Sequence, residues 1–99
     1  MSGSYLRILK MVESKQQIIL KHYGLNHQLL KADEELTELT QEINLFLCGE
    51  GNIDALASEI ADVENMLDQL KHALALECQV KRIKLEKCDR ELLRIEESL

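Results

Sequence analysis

Residues Glu34–Leu70, EELTELTQEINLFLCGEGNIDALASEIADVENMLDQL, hold two runs of helical periodicity on either side of a glycine-bearing break. On the upstream side Leu29, Ala32, Leu36, Leu39, Ile43 and Phe46 recur in alternating steps of three and four, the spacing of a packed helix pair. Downstream, Ile53, Leu56, Ile60, Val63, Leu67, Leu70 and Leu74 repeat the pattern. Between them Cys48-Gly49-Glu50-Gly51-Asn52 stops one helix and offers Asn52 as N-cap of the next. The reading is an antiparallel helical hairpin, with helices over Leu25–Leu47 and Ile53–Leu76.

Working outward, Leu6, Leu9, Val12, Ile19 and Tyr23 predict a first helix from Ser4, as N-cap, to Tyr23, closed by Gly24. Beyond Leu74 the seam slips, and a new one starts at Leu85, Cys88, Leu92, Ile95 and Leu99. This predicts a turn or kink near Leu76–Gln79 and a fourth helix to about Glu96, although no Gly or Pro marks the break. Proline is absent, aromatics are 3% of residues and charged residues 30%, a mix typical of helical proteins. The expected fold is all-α, with four helices in one domain spanning residues 1–99. So short a chain buries a modest share of its surface, so the bundle is expected to be completed as a homodimer or homotetramer.

The net charge of -6 argues against nucleic acid and anionic membranes as partners. Lys81, Arg82, Lys84, Lys87, Arg90 and Arg94 nevertheless gather half of the twelve Lys and Arg residues near the C-terminal end. Cys48, Cys78 and Cys88 form no CxxC pair and are odd in number, so neither a zinc site nor a disulfide framework is implied. They read as reduced core thiols of a cytoplasmic protein. No signal peptide or membrane-length apolar run is visible.

One internal echo stands out. Glu35-Leu36-Thr37-Glu38-Leu39 and Glu59-Ile60-Ala61-Asp62-Val63 are both acid, apolar, x, acid, apolar. With Leu36 and Ile60 at heptad position a, Glu35 and Glu59 fall at g and Glu38 and Asp62 at c, which places both pairs along one edge of the hairpin. Four carboxylates beside an apolar seam repel one another, and a hard divalent cation such as Mg²⁺ relieves the repulsion. The competing reading is two solvated helix faces on a non-catalytic helical interaction or regulatory module, which the seams alone would serve equally well.

EELTEL (Glu34–Leu39) followed by EIADVENMLDQL (Glu59–Leu70), with 20 residues between Glu38 and Glu59, resembles the paired ExxE and ExxD signature of the MazG-like all-α nucleoside triphosphate pyrophosphohydrolases. That superfamily includes dimeric dUTPases and dCTP pyrophosphatases. Similarity to short MazG-like proteins extends over most of the chain, including HYGLNHQLLKADEEL (His22–Leu36). The resemblance implies a MazG-like bundle and Mg²⁺-dependent (or Mn²⁺-dependent) cleavage of a nucleoside triphosphate to a monophosphate and pyrophosphate, in nucleotide-pool house-cleaning. It maps the metal ligands and catalytic residues onto Glu35, Glu38, Glu59 and Asp62. It also suggests phosphate contacts from Lys84, Lys87 and Arg90. Glu64 and Asn65 depart from the pattern, standing where such proteins usually carry apolar residues.

His27 and Gln28 precede Glu35 by about two turns; Gln28 is a candidate contact to the base, against a plain surface role. Lys31, one turn before Glu35, reads as its ion-pair partner. Tyr5, Tyr23 and Phe46 read as core. The histidines show no metal-ligand spacing and no ExxH, which argues against a ferritin-like di-iron site. CGEGN (Cys48–Asn52) lacks the lysine of a phosphate loop.

Overall fold

A computed structural model describes residues 3–99 as α1 (Gly3–Tyr23), α2 (Leu25–Leu47), α3 (Ile53–Ala73) and α4 (Glu77–Ser98). Among the described residues there is no strand. None of the helices is long and apolar enough to cross a membrane. Because α1 already begins at Gly3, Ser4 sits inside its first turn rather than at the cap.

A single residue joins α1 to α2. Gly24 takes φ +84°, donates its N–H to the Leu20 carbonyl at 2.8 Å, and accepts from the Gln28 N–H at 3.1 Å. It ends one helix and opens the next, a role that needs the left-handed backbone. The hairpin loop follows similar logic. Glu50 N–H reaches back to the Leu45 carbonyl at 2.9 Å, and Asn52 Oδ1 accepts from the Ala55 N–H at 3.0 Å as a helix N-cap. Gly51 lies so close to α2 that an added Cβ would stand 2.5 Å from the Phe46 Cα.

The turn between α3 and α4 covers residues 74–76, two positions earlier than the seam slip suggests. Leu76 N–H donates to the Lys71 carbonyl at 2.8 Å, and Ala75 adopts φ +54° to allow it. An alanine therefore occupies the left-handed position that glycine commonly takes at a helix end. From there α4 leaves the bundle. It packs on α3 alone and buries no residue, with only Val80 and Ile83 half-covered.

The hairpin of α2 on α3 is the best-packed unit, and α1 lies against both. Its interior is unusual in composition. Ala32, Val63 and Met66 are the buried apolar residues, while Gln16, Gln28, Glu35 and Gln69 are the buried polar ones. The amides satisfy each other. Gln28 Nε2 donates to Gln69 Oε1 at 2.8 Å, Gln69 Nε2 to the Asn65 carbonyl at 3.1 Å, and Gln16 Nε2 to Asn65 Oδ1 at 2.9 Å. Asn65, anomalous as a sequence feature, thus ties α1 to α3.

The helix contact keeps half of each apolar seam, Ala32 and Leu39 of α2 with Leu56, Val63 and Leu70 of α3, and turns the other half outward. Leu25, Gln28, Ala32, Glu35, Leu39 and Glu42 are the covered positions of α2, whereas Leu29, Leu36, Ile43 and Phe46 are 43–45% exposed. Tyr5, Tyr23 and all three cysteines are likewise exposed rather than core. These expectations fail for one reason: the chain leaves open the faces that its apolar residues define. The surface is 8048 Å², against about 5,800 Å² for a compact chain of this mass. The radius of gyration of 16.5 Å likewise exceeds the roughly 13 Å of a compact domain this size.

Candidate metal centre

The two acidic pairs meet across the hairpin. Glu35 and Glu38 sit one turn apart on α2, and Glu59 and Asp62 one turn apart on α3. The Gln28–Gln69 bond fixes the level of the antiparallel helices and brings Glu35 opposite Glu59 and Asp62. One carboxylate oxygen from each of Glu35, Glu38 and Glu59 lies within 4.8 Å of the other two. Glu35 is buried, Glu59 half-buried and Glu38 exposed.

Asp62 stands just outside this set of three. It lines the adjoining cleft together with Glu35, and its charge acts on Glu59. All four carboxylates therefore come to one place, with three in ligand-sharing range.

The electrostatics are those of an under-neutralised cluster. Burial holds the Glu59 carboxyl above its ordinary value, and repulsion from Glu38, Asp62, Glu35 and Glu42 adds to it. Among the described residues the cation in contact is Lys31, whose Nζ stands 3.3 Å from Glu35 Oε1 and 3.4 Å from Glu34 Oε2. Those two hydrogen-bonded carboxylates raise the Lys31 ammonium above its usual range. The other oxygen of Glu35, and Oε2 of Glu59, are buried without any hydrogen-bond partner. A buried, unpartnered carboxylate oxygen is costly, and two of them facing a third carboxylate call for a cation. Hard oxygen donors that leave part of the coordination sphere to a ligand are the setting Mg²⁺ accepts, so the residues fit that ion.

A cleft of about 590 Å³ opens beside the cluster between α1, α2 and α3. Tyr23 and His27 stack along its wall with ring centroids 4.5 Å apart and planes 13° from parallel. Lys31, Glu35, Asp62 and Asn65 also line it. Gln28 lines the cleft too, but it is a core residue and not a surface one. Its Oε1 is engaged by His27 Nδ1 at 2.7 Å, and its Nε2 by Gln69. With both ends of its amide taken, it positions His27 and has little left for a ligand.

Lys84, Lys87 and Arg90 are exposed on α4, and no residue of α4 lines this cleft. Sequence reasoning missed Glu42, which adds to the charge on Glu59. Its signal was present: Gln28, Glu35 and Glu42 follow one another at intervals of seven.

No protein-family model, curated protein or solved structure matches the chain.

Proposed function

We propose that the protein is a Mg²⁺-dependent nucleoside triphosphate pyrophosphohydrolase of the MazG-like kind, with Mn²⁺ as an alternative ion. The observation that carries this reading is the convergence of Glu35, Glu38 and Glu59, with two buried carboxylate oxygens left without partners, at the edge of an open cleft. The ExxE and ExxD spacing supports it independently.

Glu35, Glu38, Glu59 and Asp62 would hold the metal. When bound, Mg²⁺ neutralises phosphate charge and acidifies water. The chain's own residues supply position. Glu35 and Glu59, fixed across the packed hairpin, present oxygens that cannot relax away into solvent, so little reorganisation is needed as charge develops. Lys31 adds a positive charge on the cleft side of Glu35 and can follow a phosphate oxygen. The Tyr23–His27 stack offers a flat surface for a base, and the exposed amide of Asn65 a polar edge.

In the reaction, a water oxygen bonds to the α-phosphorus and the bond from that phosphorus to the bridging oxygen of the β-phosphate breaks. Pyrophosphate leaves, and a carboxylate of the cluster takes the proton released by the water. Phosphate contact from Lys84, Lys87 or Arg90 requires movement of α4, or α4 of a second copy. Three exposed thiols suit a reducing cytoplasm.

A non-catalytic helical interaction module is the second reading, favoured by an α4 that buries nothing. A screen of common and modified nucleoside triphosphates with Mg²⁺ and Mn²⁺, read as released pyrophosphate, separates the two. Release from at least one substrate supports the hydrolase, and none from any substrate with either ion supports the module.

A further inference from the structure

A chain of amides runs from the middle of the hairpin to the wall of the cleft, and its direction is fixed at one end. The Asn65 backbone carbonyl can only accept, so the Gln69 amide atom 3.1 Å from it is the Nε2 donor. The other end of that amide is therefore an acceptor, and the Gln28 atom 2.8 Å away is its donor. Gln28 is left with its Oε1 to face His27 Nδ1 at 2.7 Å. Turning either amide around would set oxygen against oxygen or amino group against amino group. Both residues are only 3% exposed, so water cannot make up the loss.

An oxygen at that distance needs a donor. Nδ1 therefore carries the proton of the neutral imidazole, and Nε2 keeps the lone pair. Nε2 has no hydrogen-bond partner among the described residues, and His27 lines the cleft. Stacking on Tyr23 holds the ring plane, and with it the direction of the lone pair. The same logic fixes Asn65. The Asp68 carboxylate, ion-paired with Lys71 at 3.2 Å, accepts from Gln16 Nε2 at 3.1 Å. The Asn65 atom 2.9 Å from that nitrogen is therefore Oδ1, and Asn65 Nδ2 is left as a donor on a residue that also lines the cleft.

We propose that Gln28 and Gln69 are positioning residues that lock His27 as the Nδ1–H tautomer, so that its Nε2 accepts a hydrogen bond from an N–H group of a nucleobase while Asn65 Nδ2 donates to an acceptor of that base. The ligand half rests on the nucleotide reading above; the tautomer stands without it. The bond to Nε2 lies in the plane of the ring, so His27 serves the base by its edge rather than by its face. The cleft then discriminates by polarity: a base that offers His27 no donor leaves the lone pair unmatched.

Long-range ¹H–¹⁵N correlation spectra of the metal-free protein in mildly alkaline buffer report which imidazole nitrogen is protonated, and the signals lost in His27→Phe identify His27. His27 should show a protonated Nδ1 and an unprotonated Nε2. In Gln28→Leu the two nitrogens should average, because both tautomers become accessible. A protonated Nε2 in the parent would overturn the proposal, and that measurement stands even if Gln28→Leu fails to fold. Binding of ATP, CTP and UTP with Ca²⁺ is compared with counterparts lacking the donor, the triphosphates of purine riboside, 2-pyrimidinone riboside and 3-methyluridine. The tightest binder should lose affinity by about tenfold without its donor, less than in a closed site because His27 is exposed. His27→Phe, which keeps a ring to stack on Tyr23, should erase that difference. Equal binding within each pair, a difference that survives in His27→Phe, or no binding of any of the three would overturn the proposal. Neither experiment reads pyrophosphate, so a protein that binds by this rule and hydrolyses nothing would overturn the hydrolase reading alone.

Discussion

Glu35→Gln tests the metal centre where its geometry is most demanding. The substitution keeps the size of a side chain that is 7% exposed, removes its charge, and leaves an amide in place of an unpartnered oxygen. Without metal the protein should unfold at a similar or higher temperature, because one of three mutually repelling carboxylates is gone while only the pairing with Lys31 is lost. With metal the order should reverse. At free Mg²⁺ a hundred times the dissociation constant, binding stabilises the folded parent by about 2.7 kcal/mol. For 99 residues, an unfolding entropy of about 0.2 kcal/mol/K converts this to a rise of roughly 13 °C in Tm. A hundredfold loss of affinity at the same metal concentration leaves about 0.4 kcal/mol, or roughly 2 °C. Scanning calorimetry at fixed protein concentration, with and without Mg²⁺, measures both. An equal rise in parent and variant would refute the reasoning, because Glu35 would then contribute nothing to the ion.

Three other outcomes follow from the same structure. Gln69→Leu leaves the buried Gln28 Nε2 without its acceptor and should cost about 1–3 kcal/mol in denaturant unfolding, whereas adding Gln28→Leu should cost less than the sum of the two single changes. Ala75→Gly relieves a left-handed alanine and should stabilise the protein by about 1 kcal/mol, measured as an upward shift of the urea midpoint. The raised Glu59 carboxyl makes the folded chain bind its proton more tightly than the unfolded chain, whose group titrates near 4.5. Metal-free stability should therefore fall as pH rises from about that value through the folded one, and a Tm–pH profile should show this slope in the parent and lose it in Glu59→Gln.

The parts of the fold legible in the sequence are those where local chemistry decides the backbone. Gly24 and Gly49 at positive φ, Gly51 pressed against Phe46, and the Asn52 cap place the end of α1, both ends of α2 and the start of α3, because each is a residue-specific requirement. The α3–α4 turn was harder to place because Ala75 carries the left-handed conformation and gives no compositional sign of it. The seams predict the α2–α3 contact only in part: Ala32, Leu39, Leu56 and Val63 lie in it, yet Leu36 and Ile60 face outward and Glu35 and Glu59 face across. Periodicity reports which residues avoid water; it does not distinguish burial within one chain from burial against another. The exposed Phe46 and Tyr23 illustrate the same ambiguity. The carboxylates were legible because a matched offset from two seams holds whichever half of each seam is packed. The amide network of Gln16, Asn65 and Gln69 was not, since its residues come together only after α1 folds back onto α3.

The central claim is tested most directly by the products made in ¹⁸O water by the parent and by Asp62→Asn. The parent, given Mg²⁺ and the triphosphate it turns over best, should yield monophosphate and pyrophosphate in equal amounts, with the label on the monophosphate. Asp62→Asn should retain its helicity and lose turnover by at least a hundredfold, because the loss falls on charge that develops in the transition state. Diphosphate and orthophosphate as products, label on the pyrophosphate, or undiminished turnover in Asp62→Asn would contradict the account.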